Sequence, residues 1–206
     1  SKRSIRIHRT AIHHILLQPL HFSVTTHSSV YDVTITNHVV GESVVSVSNA
    51  DLYGWSPLRN IVQYKTITGG ATDVKILFEV VGGRTHPCPR LDTLVDHNTI
   101  TDTRNDPPPE ATAAVRIRCA THTTFTNNAI RSTGTTIGLY MRDESDDGIY
   151  DKNSFVTNLQ EVIRIASGNV DKTFSSRNVF SNNSFVSTNG PATLIQGIGG
   201  DNQFLN

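Results

Sequence analysis

The chain has 206 residues with 18 basic and 18 acidic side chains, so its formal net charge is zero. This balance excludes a general electrostatic footprint for nucleic acid or a membrane surface, and no apolar run approaches the roughly 20 residues that cross a bilayer. Only 17% of the residues are charged, and the richness in Thr, Ser, Asn, Val and Ile is typical of an all-β protein. We expect one domain, residues 1–206, with a substantial core.

Short segments in which apolar and polar residues alternate recur along the chain and predict strands with one buried face. They are SIRI near the start, then VVSVS (44–48), VKILFEV (74–80), VRIRCA (115–120), IGLYM (137–141), VIRIA (162–166) and TLIQGI (193–198). Their apolar residues are expected to point inward: Val115, Ile117 and Cys119, then Ile137, Leu139 and Met141, then Ile163 and Ile165. No segment combines helical caps with helical periodicity.

Between these strands the chain repeats a hexapeptide with variations. The copies VYDVTI, VQYKTI, VDHNTI, FTNNAI, YDKNSF and FSNNSF end at Ile35, Ile67, Ile100, Ile130, Phe155 and Phe185. The first and last apolar positions of each copy have opposite parity, so one straight strand cannot bury both and the chain must turn between them. In the last four copies an asparagine falls at this turn (Asn98, Asn128, Asn153 and Asn183), and Asn tolerates the left-handed conformation that a turn needs.

The copies follow one another at intervals of 25 to 33 residues, which indicates a solenoid. We therefore predict a right-handed parallel β-helix of about seven coils. Each coil would hold a strand, a variable turn, a second strand, an asparagine corner and a short third strand. Stacking would align the asparagines in a hydrogen-bonded ladder over the C-terminal two-thirds of the chain.

This repeat resembles that of the pectate-lyase-like β-helix superfamily, whose second turn carries such an asparagine ladder, from about Val30 to Asn206. The resemblance implies a substrate cleft on the face of the first strands, walled by the loops that follow them. Those loops are SNADLYGWSPLRN (48–60), VGGRTHPCPR (81–90), RDESDDG (142–148) and SGNVDKTFSSRN (167–178). The prolines at 107–109 form a stiff segment, which is either a cleft wall or a rigid bridge.

On the predicted first strands, the positions between the buried ones carry charged or aromatic residues. Glu79, Arg116, Arg118, Tyr140, Arg142 and Arg164 are expected to point outward and, because neighbouring coils lie about 4.8 Å apart, to form one basic stripe. Four arginines at this spacing repel one another unless something neutralises them. An acidic polysaccharide would do so, with Tyr140 stacked on a sugar ring; alternatively, the arginines pair with neighbouring Asp and Glu side chains.

The resemblance also implies a chemistry for this stripe. β-Elimination in a uronic polymer needs a group that neutralises the carboxylate, a base for the C5 proton and an acid for the leaving oxygen. In families similar to this one Arg or Lys commonly supplies the base, which implies Arg116, Arg118 and Arg142 for carboxylate contact and proton abstraction, and Tyr140 as the proton donor. The residues expected to bind substrate are Trp55, Glu79, Arg84, His86 and Arg164, with His86 also a candidate base.

The loop RDESDDG supplies a second candidate site at Asp146 and Asp147, beside Asp143 and Glu144. Paired carboxylates could act as acid and base in glycoside hydrolysis or hold Ca²⁺, or they could form a solvated turn balanced by Arg142 and Lys152. SDDG resembles the paired aspartates of polygalacturonases, whose Asn-Thr-Asp, Gly-His-Gly and Arg-Ile-Lys signatures are missing here. Beyond this Ca²⁺ we expect no cofactor and no metal, since of the early histidines only His13 and His14 are adjacent, and they would face opposite sides of a strand.

Cys88 and Cys119 lie one predicted coil apart at similar phase. They form either a disulfide or a pair of buried free thiols, and we adopt the thiols as the expectation. A narrower likeness involves residues 98–130, which are similar to part of the inulin fructotransferases, trimeric β-helix enzymes that act on a neutral fructan. No catalytic acid pair is recognisable there in register.

The sequence therefore predicts a carbohydrate-active β-helix, a polysaccharide lyase or glycoside hydrolase acting on an extracellular acidic polysaccharide. The alternative is a non-catalytic binding or structural module such as a tailspike, adhesin or fibre segment, and a minor alternative is an inulin fructotransferase-like enzyme. Neither end of the sequence shows an amphipathic capping helix, so we expect a fragment of a longer β-helix or a subunit capped by assembly, as in a homotrimer. The expected location is extracellular, or on a virion or cell surface.

Overall fold

The computed structural model describes residues 4–7, 11–12, 15–17, 21–25, 29–31, 33–36, 43–48, 61–63, 66–69, 76–81, 87–88, 90–105, 112–166, 174–196 and 200–205. Within these ranges, side chains are described at residues 67, 78–81, 87–88, 90–105, 112–166, 174–194 and 200–205. The described residues form strands and turns and no helix, so none of them belongs to a helix capable of crossing a membrane.

The first sheet of the described chain has eight strands, built from the alternating segments of the sequence. They are β1 (Ser4–Ile7), β4 (His21–Thr25), β7 (Ser43–Ser48), β10 (Ile76–Val81), β13 (Ala113–Arg118), β16 (Ile137–Arg142), β19 (Glu161–Ile165) and β22 (Thr193–Gln196). These strands include every segment from which the sequence predicts a first strand.

The hexapeptide copies supply the other two sheets, one on each side of the predicted turn. The second sheet holds β2 (Ala11–Ile12), β5 (Ser29–Tyr31), β8 (Ile61–Gln63), β11 (Leu94–Asp96), β14 (Thr124–Thr126), β17 (Ile149–Asp151), β20 (Val179–Ser181) and β23 (Gln203–Leu205). The third holds β3 (Ile15–Leu17), β6 (Val33–Thr36), β9 (Thr66–Gly69), β12 (Thr99–Asp102), β15 (Ala129–Ser132), β18 (Ser154–Thr157) and β21 (Ser184–Ser187).

Consecutive strands lie in different sheets, and every third strand returns to pair with its predecessor in parallel, as β10 does with β7 and β13. A chain that visits three parallel sheets in rotation is a parallel β-helix, so the predicted all-β fold class is confirmed. The handedness and the number of coils stay predictions.

The register confirms both predicted apolar columns. In the third sheet Ile35, Ile67, Ile100, Ile130, Phe155 and Phe185 are successive partners. In the second sheet the column runs through Val30, Val62, Val95, Phe125, Tyr150 and Phe180 and continues to Phe204. The aromatic members stack, with ring centroids 4.6 Å apart for Tyr150 and Phe180, and form one continuous core with inward residues of the first sheet such as Val115 and Leu139.

The predicted asparagine ladder is also confirmed. The Oδ1 atom of Asn128 accepts from the backbone N and the Nδ2 of Asn98, both at 2.9 Å. Asn153 and Asn183 repeat this geometry one and two coils further on. At each step of the ladder one amide oxygen therefore accepts from two buried N–H groups of the neighbouring coil. These donors need this acceptor because buried N–H groups at the corner have no water to pair with.

The prediction that the ladder asparagines themselves adopt the left-handed conformation is wrong. The residues immediately before them do so: His97, Asn127, Lys152 and Asn182 have φ between 52° and 54°. The ladder residue instead aims its side chain along the stack, and the preceding left-handed residue turns the chain from the second sheet into the third.

A second, shorter ladder at the corner between the first and second sheets was not predicted. The Oδ1 atom of Asn202 accepts from the N and Nδ2 of Asn178 at 3.0 and 2.9 Å, and Asn178 in turn accepts from the backbone N of Gly148 at 2.8 Å. The earlier coils carry Thr93 and Thr123 at this corner, both buried with unpartnered hydroxyls. Among the residues that the structure describes, two coils place an asparagine at this corner and the coils before them carry Thr93, Thr123 and Gly148, so the repeat is short and interrupted in the sequence.

The corner after the third sheet is held by a buried ion pair. Arg104 donates through Nε to Oδ1 of Asp102 at 2.8 Å, and Thr136 donates to the other oxygen of that carboxylate at 2.9 Å. Gly134 packs against the backbone of Arg104 so closely that a Cβ there would lie 1.5 Å from the Arg104 carbonyl oxygen. Only glycine fits at this contact between coils.

Candidate functional site

Register in the first sheet brings the predicted outward residues together in two rows. Glu79, Arg116, Tyr140 and Arg164 are successive partners across β10, β13, β16 and β19. The second row places Arg118 beside Arg142. The prediction that these groups share one surface is confirmed, and we call the six residues the arginine–tyrosine face.

The first row contains a buried ion pair. Arg116 donates through Nη2 to Oε2 of Glu79, and the two residues are 5% and 6% exposed. Both belong to the outer side of the sheet, because they alternate with the core residues Phe78, Val80 and Val115. The two side chains are therefore withdrawn from solvent although they belong to the outer side of the sheet.

The arginines of the second row converge on one carboxylate. Arg118 and Arg142 both donate through Nε to Oδ2 of Asp143, at 2.8 and 2.9 Å. Asp143 is itself buried. An oxygen that accepts from two guanidinium groups holds them side by side against their mutual repulsion.

The last arginine of the face lies nearer to solvent. Arg164 forms a bidentate pair with Glu161, three residues before it, with Nη2 donating to Oε2 at 2.6 Å. Its side chain is 28% exposed. The premise that the arginines await an external polyanion is therefore wrong: the chain's own carboxylates neutralise them, as the alternative interpretation held.

Tyr140 lies in the middle of the first row with its ring largely buried. It clusters with Ala113 and Ile137, and Leu159 and Ala166 pack against the same group. The expectation that Ile137 points into the core with Leu139 and Met141 is wrong, because Ile137 belongs to this cluster and those two belong to the core. The alternation breaks near this end of the sheet, where the pairing of β19 with β22 also shifts register. The result is an apolar patch on the outer side, around a tyrosine flanked by charged pairs.

The loop after β16 is one residue longer than its counterpart in the preceding coil. Six steps separate Arg118 from Thr124, and seven separate their register partners Arg142 and Ile149. Asp143 and Glu144 both adopt positive φ, 57° and 51°, a conformation that costs energy for residues other than glycine. The Glu144 carboxylate accepts from the backbone N of Cys88 at 3.3 Å. The insertion thus presents two carboxylates at the edge of the arginine–tyrosine face.

Cys88 and Cys119 form a disulfide between neighbouring coils, with Cα atoms 4.9 Å apart. The expectation of free thiols is wrong, because the chain brings the two residues within bonding distance at the end of β13. Cys119 directly follows Arg118, so the bond fastens the segment at Cys88 beside the arginine–tyrosine face.

Asp146 and Asp147 lie further along, at the corner that leads to β17. Arg177 of the next coil donates to Oδ1 of Asp147 at 2.8 Å and to Oδ2 of Asp146 at 3.0 Å. The Arg177 guanidinium holds the pKa of Asp147 below its usual value, and the two aspartates raise the pKa of Arg177. Asp143 therefore contacts arginines of the arginine–tyrosine face, whereas Asp146 and Asp147 contact Arg177 outside it. A catalytic role for Asp146 and Asp147 stays a prediction.

Several predicted residues lie outside the described residues. They are Trp55, Arg84 and His86, the prolines at 107–109, and the side chains of the early histidines. Within the described residues no group of three His, Cys, Asp or Glu side chains could hold a metal ion. The Ca²⁺ site at the acidic loop stays a prediction.

Sequence reasoning missed the partners of the arginines, although one signal was present. Glu161 precedes Arg164 by three residues and Asp143 follows Arg142 directly, so each lay close enough in sequence to suggest pairing. Glu79 and Arg116 are 37 residues apart, and only the stacking of coils brings them together.

No known protein family matches the sequence, and no curated protein matches it. Among solved structures the chain is similar to a crystal structure of DFA-IIIase from Arthrobacter chlorophenolicus A6 without its lid. The TM-score is 0.37 and the sequence identity 14%, over 89% of this chain. The match covers 55% of that chain, so this protein spans about half its length.

Proposed function

We propose that the arginine–tyrosine face is the site at which this protein binds a polysaccharide and cleaves its glycosidic bonds. The observation that carries this proposal is the buried Glu79–Arg116 pair with Tyr140 beside it, on a side of the sheet that the β-helix does not need to bury. A β-helix draws its stability from the core between its sheets. Charged groups buried outside that core need another explanation.

Stability does not supply that explanation. Removing two charges from water costs several kcal/mol for each ion, and replacing a buried ion pair by apolar residues of similar volume is often neutral or stabilising. Pre-organised charges and dipoles in a covered site are, by contrast, what a catalytic surface uses to stabilise developing charge. Two adjacent residues in the strained left-handed conformation, Asp143 and Glu144, support the same interpretation.

The contacts separate the roles that the residues can play. An arginine that donates to a carboxylate is protonated, so Arg116, Arg118 and Arg142 would donate hydrogen bonds to sugar oxygens and would not abstract a proton. Tyr140 offers a ring for a sugar to stack on and a hydroxyl that could donate a proton to the leaving oxygen. The carboxylates Glu79, Asp143 and Glu144 are the nearest candidates for acid–base work, which favours hydrolysis or transfer over β-elimination.

Secretion or surface display is part of this proposal, and the Cys88–Cys119 disulfide supports it, since disulfides persist in oxidising compartments. A homotrimer is also a proposal.

The alternative function is a non-catalytic module of a fibre or adhesin, and the internal pairing of the arginines favours it, because charged side chains on a sheet surface that pair with one another need no ligand. Such a module would bind glycan or other subunits and release no product.

A depolymerisation assay decides between the two functions. The protein is incubated with soluble neutral and uronic polysaccharides, and both new reducing ends and the ultraviolet absorbance of unsaturated products are followed. We expect reducing ends without the unsaturated product. We also expect Tyr140→Phe, which keeps the ring, to lose at least tenfold in rate. Ser184→Ala on the third sheet is the matched control and should act as wild type.

If no polymer yields product and light scattering gives a trimer, the enzyme proposal fails and the structural module stands.

A further inference from the structure

The charges of the arginine–tyrosine face balance within the described residues. Its four arginines are matched by four carboxylates on or beside the same strands: Glu79, Asp143, Glu144 and Glu161. Three of these carboxylates accept directly from the arginines of the face. Glu79 accepts from Arg116, Asp143 accepts from both Arg118 and Arg142, and Glu161 accepts from Arg164. The fourth, Glu144, accepts from the backbone of Cys88.

A polyanion would meet these carboxylates as well as the arginines. A uronate that approached Arg118 or Arg142 would come within a few ångströms of Asp143, whose oxygen already occupies both Nε donors. Like charges at that separation repel strongly where water is excluded. Binding would need the internal pairs to open, and the Glu79–Arg116 pair is buried.

A neutral sugar meets no such repulsion. Each hydroxyl can both donate and accept, so it can bond to a carboxylate oxygen and a guanidinium N–H of the same ion pair without separating them. Arg164 and Glu161, whose side chains are 28% and 16% exposed, are the members of the face that a sugar can reach without displacing other groups, and Tyr140 and Ile137 are buried beside them. Ion pairs that frame an aromatic ring are suited to a ligand that is uncharged and rich in hydroxyls.

We infer that the substrate of this site is a neutral polysaccharide, an inference that rests on the function proposed above. Three internal carboxylates set this preference, since Glu79, Asp143 and Glu161 take the arginines that would otherwise attract a uronate. The acidic substrate that the sequence suggests is thereby replaced by a neutral one.

The test compares polymers that differ only in charge. Soluble glucan, mannan, galactan and fructan are each paired with a derivative carboxylated at the primary hydroxyl, and retention of the protein is measured by affinity electrophoresis at low and high salt. We expect at least one neutral polymer to retain the protein, its carboxylated partner to bind at least tenfold more weakly, and salt to change the neutral binding little. Tighter, salt-sensitive binding to a carboxylated polymer overturns this inference and leaves the proposed function in place. Binding to none of the polymers overturns both.

A charge-matched pair of variants tests the cause. Glu161→Gln removes the negative charge that Arg164 contacts at the partly exposed edge of the face, where the fold should tolerate the change. Asp151→Asn removes the same charge on the second sheet, away from the face. We expect Glu161→Gln alone to gain at least threefold affinity for a carboxylated polymer, and the gain to vanish at high salt. An equal gain in both variants, or no gain in Glu161→Gln, contradicts the inference, provided that circular dichroism shows both variants folded.

Discussion

The amide of Asn128 shows how a single side chain can hold two coils of this fold together. Its oxygen accepts two bonds from Asn98, while its Nδ2 donates to the carbonyl of Val95 at 3.0 Å and to Oδ1 of Asn153 at 3.1 Å. All of these groups are buried, so none has water as an alternative partner. The ladder therefore contributes most through the cost of leaving its members unpaired.

Replacing Asn128 by alanine should lower the free energy of unfolding by about 2–4 kcal/mol, because it removes the buried acceptor that the N and Nδ2 of Asn98 share and the two bonds that Asn128 Nδ2 donates. Urea unfolding followed by circular dichroism measures the change. Asn127→Gly is the matched control at the neighbouring position: it keeps the left-handed backbone and loses only a partly buried bond to Asp96, so it should cost about 1 kcal/mol. Equal losses in the two variants would show that the ladder is not the stabilising feature.

Tyr150 is the one tyrosine in a core column of phenylalanines within the described chain. Its hydroxyl is fully buried without a partner, burial raises its pKa, and Gly148 leaves the room that it occupies, since a Cβ there would lie 3.1 Å from the hydroxyl. Tyr150→Phe should therefore raise the free energy of unfolding by about 1 kcal/mol. A lower thermal midpoint in calorimetry would mean that the hydroxyl has a stabilising partner.

The second sheet carries an acidic residue whose titration should be visible in stability. Hydrogen bonds from Asn182 and Ser181 hold the pKa of Asp151 below its ordinary value of 3.8. A carboxyl with a lowered folded pKa stabilises the fold above its unfolded pKa, and this contribution is lost as the pH falls through the folded value. Asp147 behaves in the same way through Arg177. We expect Asp151→Asn to flatten the acid limb of a stability–pH profile, because the variant is slightly less stable than wild type near neutrality and equally stable in acid below the folded pKa. A profile identical to that of wild type would contradict this assignment.

At the scale of elements, the connection between β10 and β13 depends on the disulfide. Cys88 and Cys119 close a loop of 31 residues, which by the chain-entropy account contributes about 3–4 kcal/mol. The double variant Cys88→Ser with Cys119→Ser should lose this amount in urea unfolding, and dithiol reduction of the wild type should lose the same. Alkylation of two thiols in the unreduced, folded protein would contradict the bond.

The strands themselves were largely predictable from the sequence. A residue that must face the core in every coil leaves a periodic trace, and for this reason the columns through Ile100 and Val95 could be aligned by inspection. The left-handed corner positions show no such periodic trace. His97 and Lys152 adopt positive φ there because of the stacking of coils, and neither His nor Lys is a residue type that predicts a left-handed conformation.

The candidate site was predicted only in part, for a related reason. The outward positions of Arg116, Tyr140 and Arg164 follow from alternation along regular strands. The partner that Arg118 and Arg142 share, Asp143, depends on loop geometry, which one inserted residue at Asp143–Glu144 changes without any repeat that would reveal it. Charge on the face was thus predictable and its neutralisation was not.

At the scale of the whole molecule, the two sides of the first sheet differ: one side packs the core and the other carries the arginine–tyrosine face. The inner side of β13, β16 and β19 supplies core residues such as Ile117, Met141 and Ile165. The outer side holds the arginine–tyrosine face, which the core keeps rigid because every strand is paired on both sides. A site on paired strands holds its geometry better than one on loops.

Hydrogen–deuterium exchange with and without a neutral polysaccharide tests the central claim most directly, since it locates bound sugar on the folded chain. We expect slower exchange on β13, β16 and β19 and in the loop at 142–148, with the third-sheet strands β15 and β18 unchanged. Protection confined to β15 and β18, or no protection while the polymer is being cleaved, would contradict the placement of the site on the arginine–tyrosine face.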